Sequence, residues 1–150
     1  MTDLAAAQAI RDVVTRVAHT FDGRRWQELR ALYADEVETD YTSLFGGAAQ
    51  RQGGDALIAT WRTTFTPLRA TQHLLGPIEV RAHGARATAE CHVRAWHFLE
   101  GAPGGAEWIV AGHWVLELTE RAGSWRIAKM ALQAFYQTGN TKLLQEASAG

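Results

Sequence analysis

Between Arg86 and Leu99 the chain alternates without a break. Ala87, Ala89, Cys91, Val93, Ala95, His97 and Leu99 fall on one side, and Arg86, Thr88, Glu90, His92, Arg94, Trp96 and Phe98 on the other. A period of two over this length specifies a long β-strand with one buried face. The odd side is small and apolar, so it needs a covering layer, and a one-residue slip would put it in water. "PIEV" and an "HG" turn precede the strand, and two further strands joined by an "RAGS" turn follow from "AEWIV" onward. "GAPGGA" (101–106) reads as a flexible connection between the hairpins.

The covering layer comes from the first half. Ile10, Val13, Val14, Val17 and Phe21 form one apolar stripe at helical spacing, which predicts a helix over 4–22. Thr2 or Asp3 can cap its start and Gly23 can end it. A shorter helix is predicted at about 25–34, with Trp26, Leu29 and Leu32 inward, then a strand at 37–41 and a loop at 43–54. Asp55 is placed to cap a third helix over roughly 56–65, stopped before Pro67. Helices followed by a run of antiparallel strands give an α+β fold. The expectation is one domain over residues 1–150: three N-terminal helices on a strongly bent, mixed, mainly antiparallel sheet, closing a cone around a pocket.

Charge and composition exclude several functions. Net charge is −1, from 15 basic and 16 acidic residues, so no field favours nucleic acid or an anionic membrane. Cys91 is the single cysteine, which rules out an intrachain disulfide and a cysteine metal cluster. No apolar run approaches the roughly 20 residues of a membrane span. Asp3 and the Arg11-Asp12 pair interrupt any signal-peptide core, so the expected location is cytoplasmic. No nucleotide loop or zinc motif is present, and no metal or organic cofactor is expected. Acid–base chemistry remains.

The residues for it are few. His73 sits in "ATQHLLGP", an apolar extended stretch expected to be buried, with Pro77 opposing a helix. A buried imidazole needs a partner. Asp22, at the flank of the first helix's stripe, can supply one, although a carboxylate in a last helical turn is disfavoured by a few tenths to about 1 kcal/mol. Strand parity turns His97 inward and His92 outward, so the two cannot share a metal. Tyr41 shares a face with Val37 and Thr39 and projects inward.

"FDGRRWQELRALYADEVETDY", "TQHLLG", "VRAWH" and "GSWRIAK", in this order and with the "GN…L" pattern at 139–144, resemble scytalone dehydratase and the wider SnoaL-like branch of the nuclear-transport-factor-2-like superfamily. The resemblance spans about residues 8–145. It implies an α+β cone, a catalytic Asp22 that orients His73, a second histidine at His97, and a tyrosine at Tyr41 that holds a water against a substrate carbonyl. Phe21 stands where the family carries another pocket tyrosine, and Gly112 and Trp114 replace a serine and an asparagine. These departures argue against scytalone itself as substrate, Trp114 narrowing the pocket and Gly112 widening it.

The expected function is a cofactor-independent, dehydratase-like lyase or isomerase acting on a small, apolar, cyclic or aromatic molecule. His73 would be the general base, Asp22 its support, and Tyr41 and His97 would polarise a carbonyl or protonate a leaving hydroxyl. Phe21, Trp61, Phe65 and Trp114 would wall the pocket. The alternatives are a non-catalytic ligand-binding or oligomerisation domain, and polyketide cyclase or dehydrohalogenase chemistry in the same cavity. Arg94, Trp96 and Phe98 on the outer sheet face suggest a homo-oligomer; the resemblance implies a trimer or dimer.

Overall fold

The computed structural model describes residues 3–150. Helix α1 spans Leu4–Asp22, and the Ala5 N–H donates to the Asp3 carboxylate at 3.2 Å. Thr2, the other predicted cap, lies outside the described residues. Four residues of the stripe are buried as expected, Ile10 and Val14 at 0% exposed, Val17 at 2% and Phe21 at 7%, while Val13 is partly buried.

After α1 the chain departs from its local signals. Helix α2 is shorter than predicted (Trp26–Ala31), because strand β1 begins at Tyr33 and runs to Asp40. Tyr41 therefore lies just beyond the strand, at the start of a short helix α3 (Thr42–Phe45). Residues 43–54 are not a loop. They hold α3 and strand β2 (Gln50–Gly53), which pairs antiparallel with β1. Helix α4 spans Gly54–Phe65 with Gly53 at its N-cap. Asp55 does not cap it. Its carboxylate lies in the first turn and pairs with Arg30 Nε at 2.5 Å.

Strands β3 (Ala70–Leu75), β4 (Glu79–His83), β5 (Arg86–Phe98), β6 (Glu107–Arg121) and β7 (Ser124–Gly139) follow, and helix α5 (Leu143–Ser148) closes the described chain. The sheet order is β2-β1-β7-β6-β5-β3, with β4 also paired to β5. The β1–β7 pair is parallel and every other pair antiparallel. The sheet is thus mixed, curved and unclosed, with helices on one face. Two register shifts between β6 and β7, at Ala111/Gly112 and Glu117/Leu118, supply bends of the kind that wrap a sheet round a pocket.

Parity on β5 holds: Ala87, Ala89, Cys91, Val93, Ala95 and His97 are all buried. On β3 it separates neighbours. Thr71 is buried, whereas Leu74, predicted to be interior with the rest of "ATQHLLGP", is 51% exposed, because it lies on the outer face of the sheet. The 101–106 connection is tied down. Gly104 N–H donates to the Glu146 carboxylate, and Asn140 Nδ2 donates to both the Gly105 carbonyl at 2.9 Å and Glu146 at 2.6 Å. Among the described residues no helix is long and apolar enough to cross a membrane.

Candidate active site

Two elements distant in sequence meet at the end of α1. Thr71 and His73, two apart on β3, share a face, and β3 runs antiparallel to β5 with Thr71 opposite His97 and His73 opposite Ala95. The Asp22 carboxylate receives three hydrogen bonds from β3. The Thr71 hydroxyl donates to Oδ1 at 2.9 Å, the His73 backbone N–H donates to Oδ2 at 2.7 Å, and His73 Nδ1 lies 2.7 Å from Oδ1. Burial raises the carboxyl pKa most strongly, but the combined hydrogen bonds and charge of His73, with Thr71, outweigh it and leave Asp22 below its ordinary value. An ionised carboxylate only accepts, so Nδ1 of neutral His73 carries the hydrogen and Nε2 holds the free lone pair. The side chains are 12% exposed for His73 and 22% for Asp22.

His73 lines a cavity of ≈ 230 Å³. Phe21, Trp61, Phe65 and Trp114 line it too, as does Tyr41. Phe21 and Trp114 hold the His73 ring, with centroids 5.1 and 5.7 Å away. Gly112 is not among the lining residues. A Cβ there would meet the Gln133 carbonyl at 2.6 Å, so this glycine serves the tight β6–β7 bulge and does not widen the pocket. No Lys, Arg, Asp or Glu lines the cavity among the described residues. Nor, among those residues, do three or more His, Cys, Asp or Glu side chains cluster so as to hold a metal ion.

His97 is 5% exposed, stacks on Trp108 at 4.4 Å and places Nδ1 3.1 Å from the Trp108 carbonyl oxygen. A carbonyl accepts only, so Nδ1 carries the hydrogen and Nε2 is an acceptor. Burial, then the nearby His73, push its pKa down to about 4. A neutral His97 of this tautomer cannot protonate a leaving hydroxyl or polarise a carbonyl, the roles expected from the sequence. It can receive a hydrogen bond from a substrate hydroxyl. Tyr41 is the donor of the pair. Burial raises its pKa, so it stays protonated, and its hydroxyl points at Met130 Sδ, 3.6 Å away.

Sequence reasoning missed Tyr33, Thr71 and Trp108. Tyr33 lines the cavity and also donates to Met130 Sδ, at 3.2 Å. It was hidden inside the overlong second helix. Thr71 had a readable signal, since it lies two residues before His73 and therefore on the same strand face.

The SnoaL-like domain family matches residues 2–131 of the chain. No curated protein matches it in sequence. Among solved structures, the chain is similar to the Kfla4162 protein of Kribbella flavida, at 28% identity and a TM-score of 0.86, over 93% of this chain and 96% of that one. A candidate scytalone dehydratase from Novosphingobium aromaticivorans is similar at 21% identity and a TM-score of 0.79, over 91% and 89%. A hexachlorocyclohexane dehydrochlorinase from Novosphingobium barchaimii is similar at 17% identity and a TM-score of 0.73, over 91% of each chain. The last two likenesses establish the fold alone.

Proposed function

The chain belongs to the SnoaL-like domain family, and on that premise we propose that it is a cofactor-independent lyase or isomerase, dehydratase-like, acting on a small uncharged ring compound. One observation carries the reading. A carboxylate with three hydrogen bonds from Thr71 and His73 holds the free Nε2 of His73 at an apolar cavity.

The chemistry follows from the tautomer. His73 Nε2 takes a proton from a carbon next to a carbonyl or a leaving group. The imidazolium that forms lies against the Asp22 carboxylate, and such positioned bases contribute about 10²–10⁴-fold. The same proton is then returned to the departing hydroxyl, giving dehydration, or to another carbon, giving isomerisation. Tyr41 turns from the weak thioether acceptor to a substrate carbonyl, and His97 Nε2 receives a substrate hydroxyl. Phe21, Phe65 and Trp61 pack edge-to-face and keep water from the reacting carbon.

The cavity also limits the substrate. Its volume of ≈ 230 Å³ lies below the roughly 300–1,000 Å³ of drug-sized pockets. With no charged lysine, arginine or carboxylate among the described lining residues, it favours a neutral one- or two-ring molecule carrying a carbonyl and a hydroxyl.

A second reading is a non-catalytic domain that binds such a ligand. Both cavity tyrosines turn their hydroxyls to Met130 and the His97 ring N–H is committed to the Trp108 carbonyl, so none of these three donors is free to activate a substrate carbonyl. Incubation with hydroxylated aromatic and alicyclic ketones in D2O separates the two. Exchange or an absorbance change that vanishes in His73→Ala supports the enzyme. Ligands that bind unchanged across the panel support the binding domain.

A further inference from the structure

Strand β1 ends before its neighbour does. Its parallel pairing with β7 stops at Asp40, opposite Ala131, while β7 runs on to Gly139 with β6 on its other side. The β1 side of β7 is therefore open from Leu132 onward. In a parallel ladder a residue opposite Gln133 would donate its N–H to the Leu132 carbonyl and accept the Ala134 N–H at its own carbonyl. Continued register would give that place to Thr42, but Thr42 has left it. Its N–H and hydroxyl both donate to the Asp40 carboxylate, at 3.0 and 2.6 Å, and its carbonyl accepts the Gly46 N–H at 2.8 Å.

The Ser43 side chain fills the place instead. Its hydroxyl donates to the Leu132 carbonyl at 2.6 Å and accepts the Ala134 N–H at 2.9 Å. One oxygen thus makes both bonds that a residue of β1 would have made with its backbone. A hydroxyl on a short stem can do so because it is donor and acceptor at one atom. The chain can then turn off the sheet directly after β1 without leaving these two β7 groups without a partner.

The turn builds a wall. Tyr41, Leu44 and Phe45 line the cavity, and all three belong to α3 or its N-cap. With four residues, α3 is far too short to hold its own shape. Tyr41 and Leu44 pack against the core. The other hydrogen bonds of α3 among the described residues are local, from the Leu44 and Phe45 N–H groups to the Tyr41 carbonyl and from Thr42 to Asp40. Gly46 and Gly47 follow at φ 71° and 77°, with open space where a Cβ would stand. Phe45 is 65% exposed, its ring 6.3 Å from that of Trp108. The hydrogen bonds that join α3 to the sheet beside it are therefore those of Ser43.

We propose that Ser43 is a positioning residue of this cavity: its hydroxyl, standing in for a peptide group, pins α3 to β7 and so fixes the wall that limits the cavity to molecules of one or two rings. The proposal rests on the reading of the cavity as the site of a small ring compound. Ser43 itself touches no substrate, because it lies at the surface and does not line the cavity. In Ser43→Ala water can take over the two β7 groups, so the loss falls on α3 and leaves the sheet intact.

The wall is tested first without a ligand. In the whole protein, hydrogen–deuterium exchange is followed by NMR at the Leu44, Phe45 and Gly46 amides, whose own acceptors are untouched by a change at residue 43. Ser43→Ala should speed all three by about tenfold or more, with the β5 and β6 amides unchanged. Ser43→Thr keeps the hydroxyl and should match wild type. Calorimetric titration then compares α-tetralone, a neutral two-ring ketone, with fluorenone, a neutral three-ring ketone. Ser43→Ala should lower the affinity for α-tetralone by about five- to tenfold and raise that for fluorenone, whereas Ser43→Thr should keep the wild-type preference. Wild-type exchange at the three amides in Ser43→Ala overturns the proposal, as do amides already unprotected in wild type. An equal loss of affinity for both ketones, the mark of general loosening, overturns it too. If neither ketone binds wild type, the ring-compound reading fails, and the ligand-free exchange alone decides for or against the pinning of α3 by Ser43.

Discussion

Asp22 grips His73 twice, at its backbone N–H and at its ring Nδ1, each at 2.7 Å. The backbone bond fixes where β3 meets α1, and the ring bond fixes the tautomer. Fold and chemistry thus depend on one carboxylate, and replacements at the two residues separate them.

Asp22→Asn keeps an acceptor oxygen for the backbone N–H and loses the charge opposite the imidazolium. Turnover should fall by roughly 10²-fold or more, with the fold retained by circular dichroism. His73→Ala should abolish proton abstraction altogether. Wild-type turnover in either variant, measured on the first ketone that reacts, would place the base elsewhere.

Stability should fall on mild acidification. His97 titrates at about 4 in the folded chain and near 6.5 when unfolded. Between those values the unfolded chain holds more protons, so stability rises with pH across the window and is lost on descending it. The loss is on the order of 3 kcal/mol when complete. Asp22, whose pKa is lowered by its partners against burial, stabilises the fold above the ordinary carboxylate value. That contribution disappears lower still, as the pH falls through its folded pKa. Urea unfolding from about pH 7 down to 4.5 should show the first loss in wild type and a flatter curve in His97→Asn; parallel curves would refute it.

Gly112→Ala should destabilise the protein by about 1–3 kcal/mol. The new methyl would meet the Gln133 carbonyl at 2.6 Å and the Ala134 Cα at 3.1 Å, and neither backbone atom can yield without opening the bulge. A thermal midpoint equal to wild type would mean that the bulge relaxes freely.

The outer sheet face should pair with a second copy of the chain. Arg94 lies over the rings of Trp96 and Tyr136, 5.4 and 5.7 Å away, and bonds the Tyr136 hydroxyl. Phe135 is 59% exposed, Leu74 51% and Tyr136 49%, with Phe98 half-buried on the same face. Apolar area of this kind on a sheet commonly marks an interface. Light scattering at micromolar concentration should report a dimer or trimer, and Trp96→Glu with Phe135→Glu should shift it to monomer. A monomeric wild type contradicts the expectation.

Much of the frame is written locally. The α1 stripe, the two-sided character of β5 and the inward turn of His97 are properties of period 3.6 and period 2, and each needs only its own segment. The motifs "TQHLLG" and "VRAWH" are part of the SnoaL-like resemblance, and family and fold agree with it. Other features had no local signature. "QRQG" of β2 has no apolar alternation and becomes a strand because the β1 edge offers it hydrogen bonds. Tyr33 leaves the helical pattern around it because β1 pairs in parallel with β7, nearly a hundred residues on, where Tyr33 lies opposite Ile127. The His97 tautomer comes from the Trp108 carbonyl, and the anchoring of Asp22 from Thr71 and His73, about 50 residues away. Burial patterns are decided by which side chains avoid water, and a segment shows that by itself. Hydrogen-bond partners, register and the protonation they impose depend on which distant backbone arrives alongside, and only the folded chain decides that.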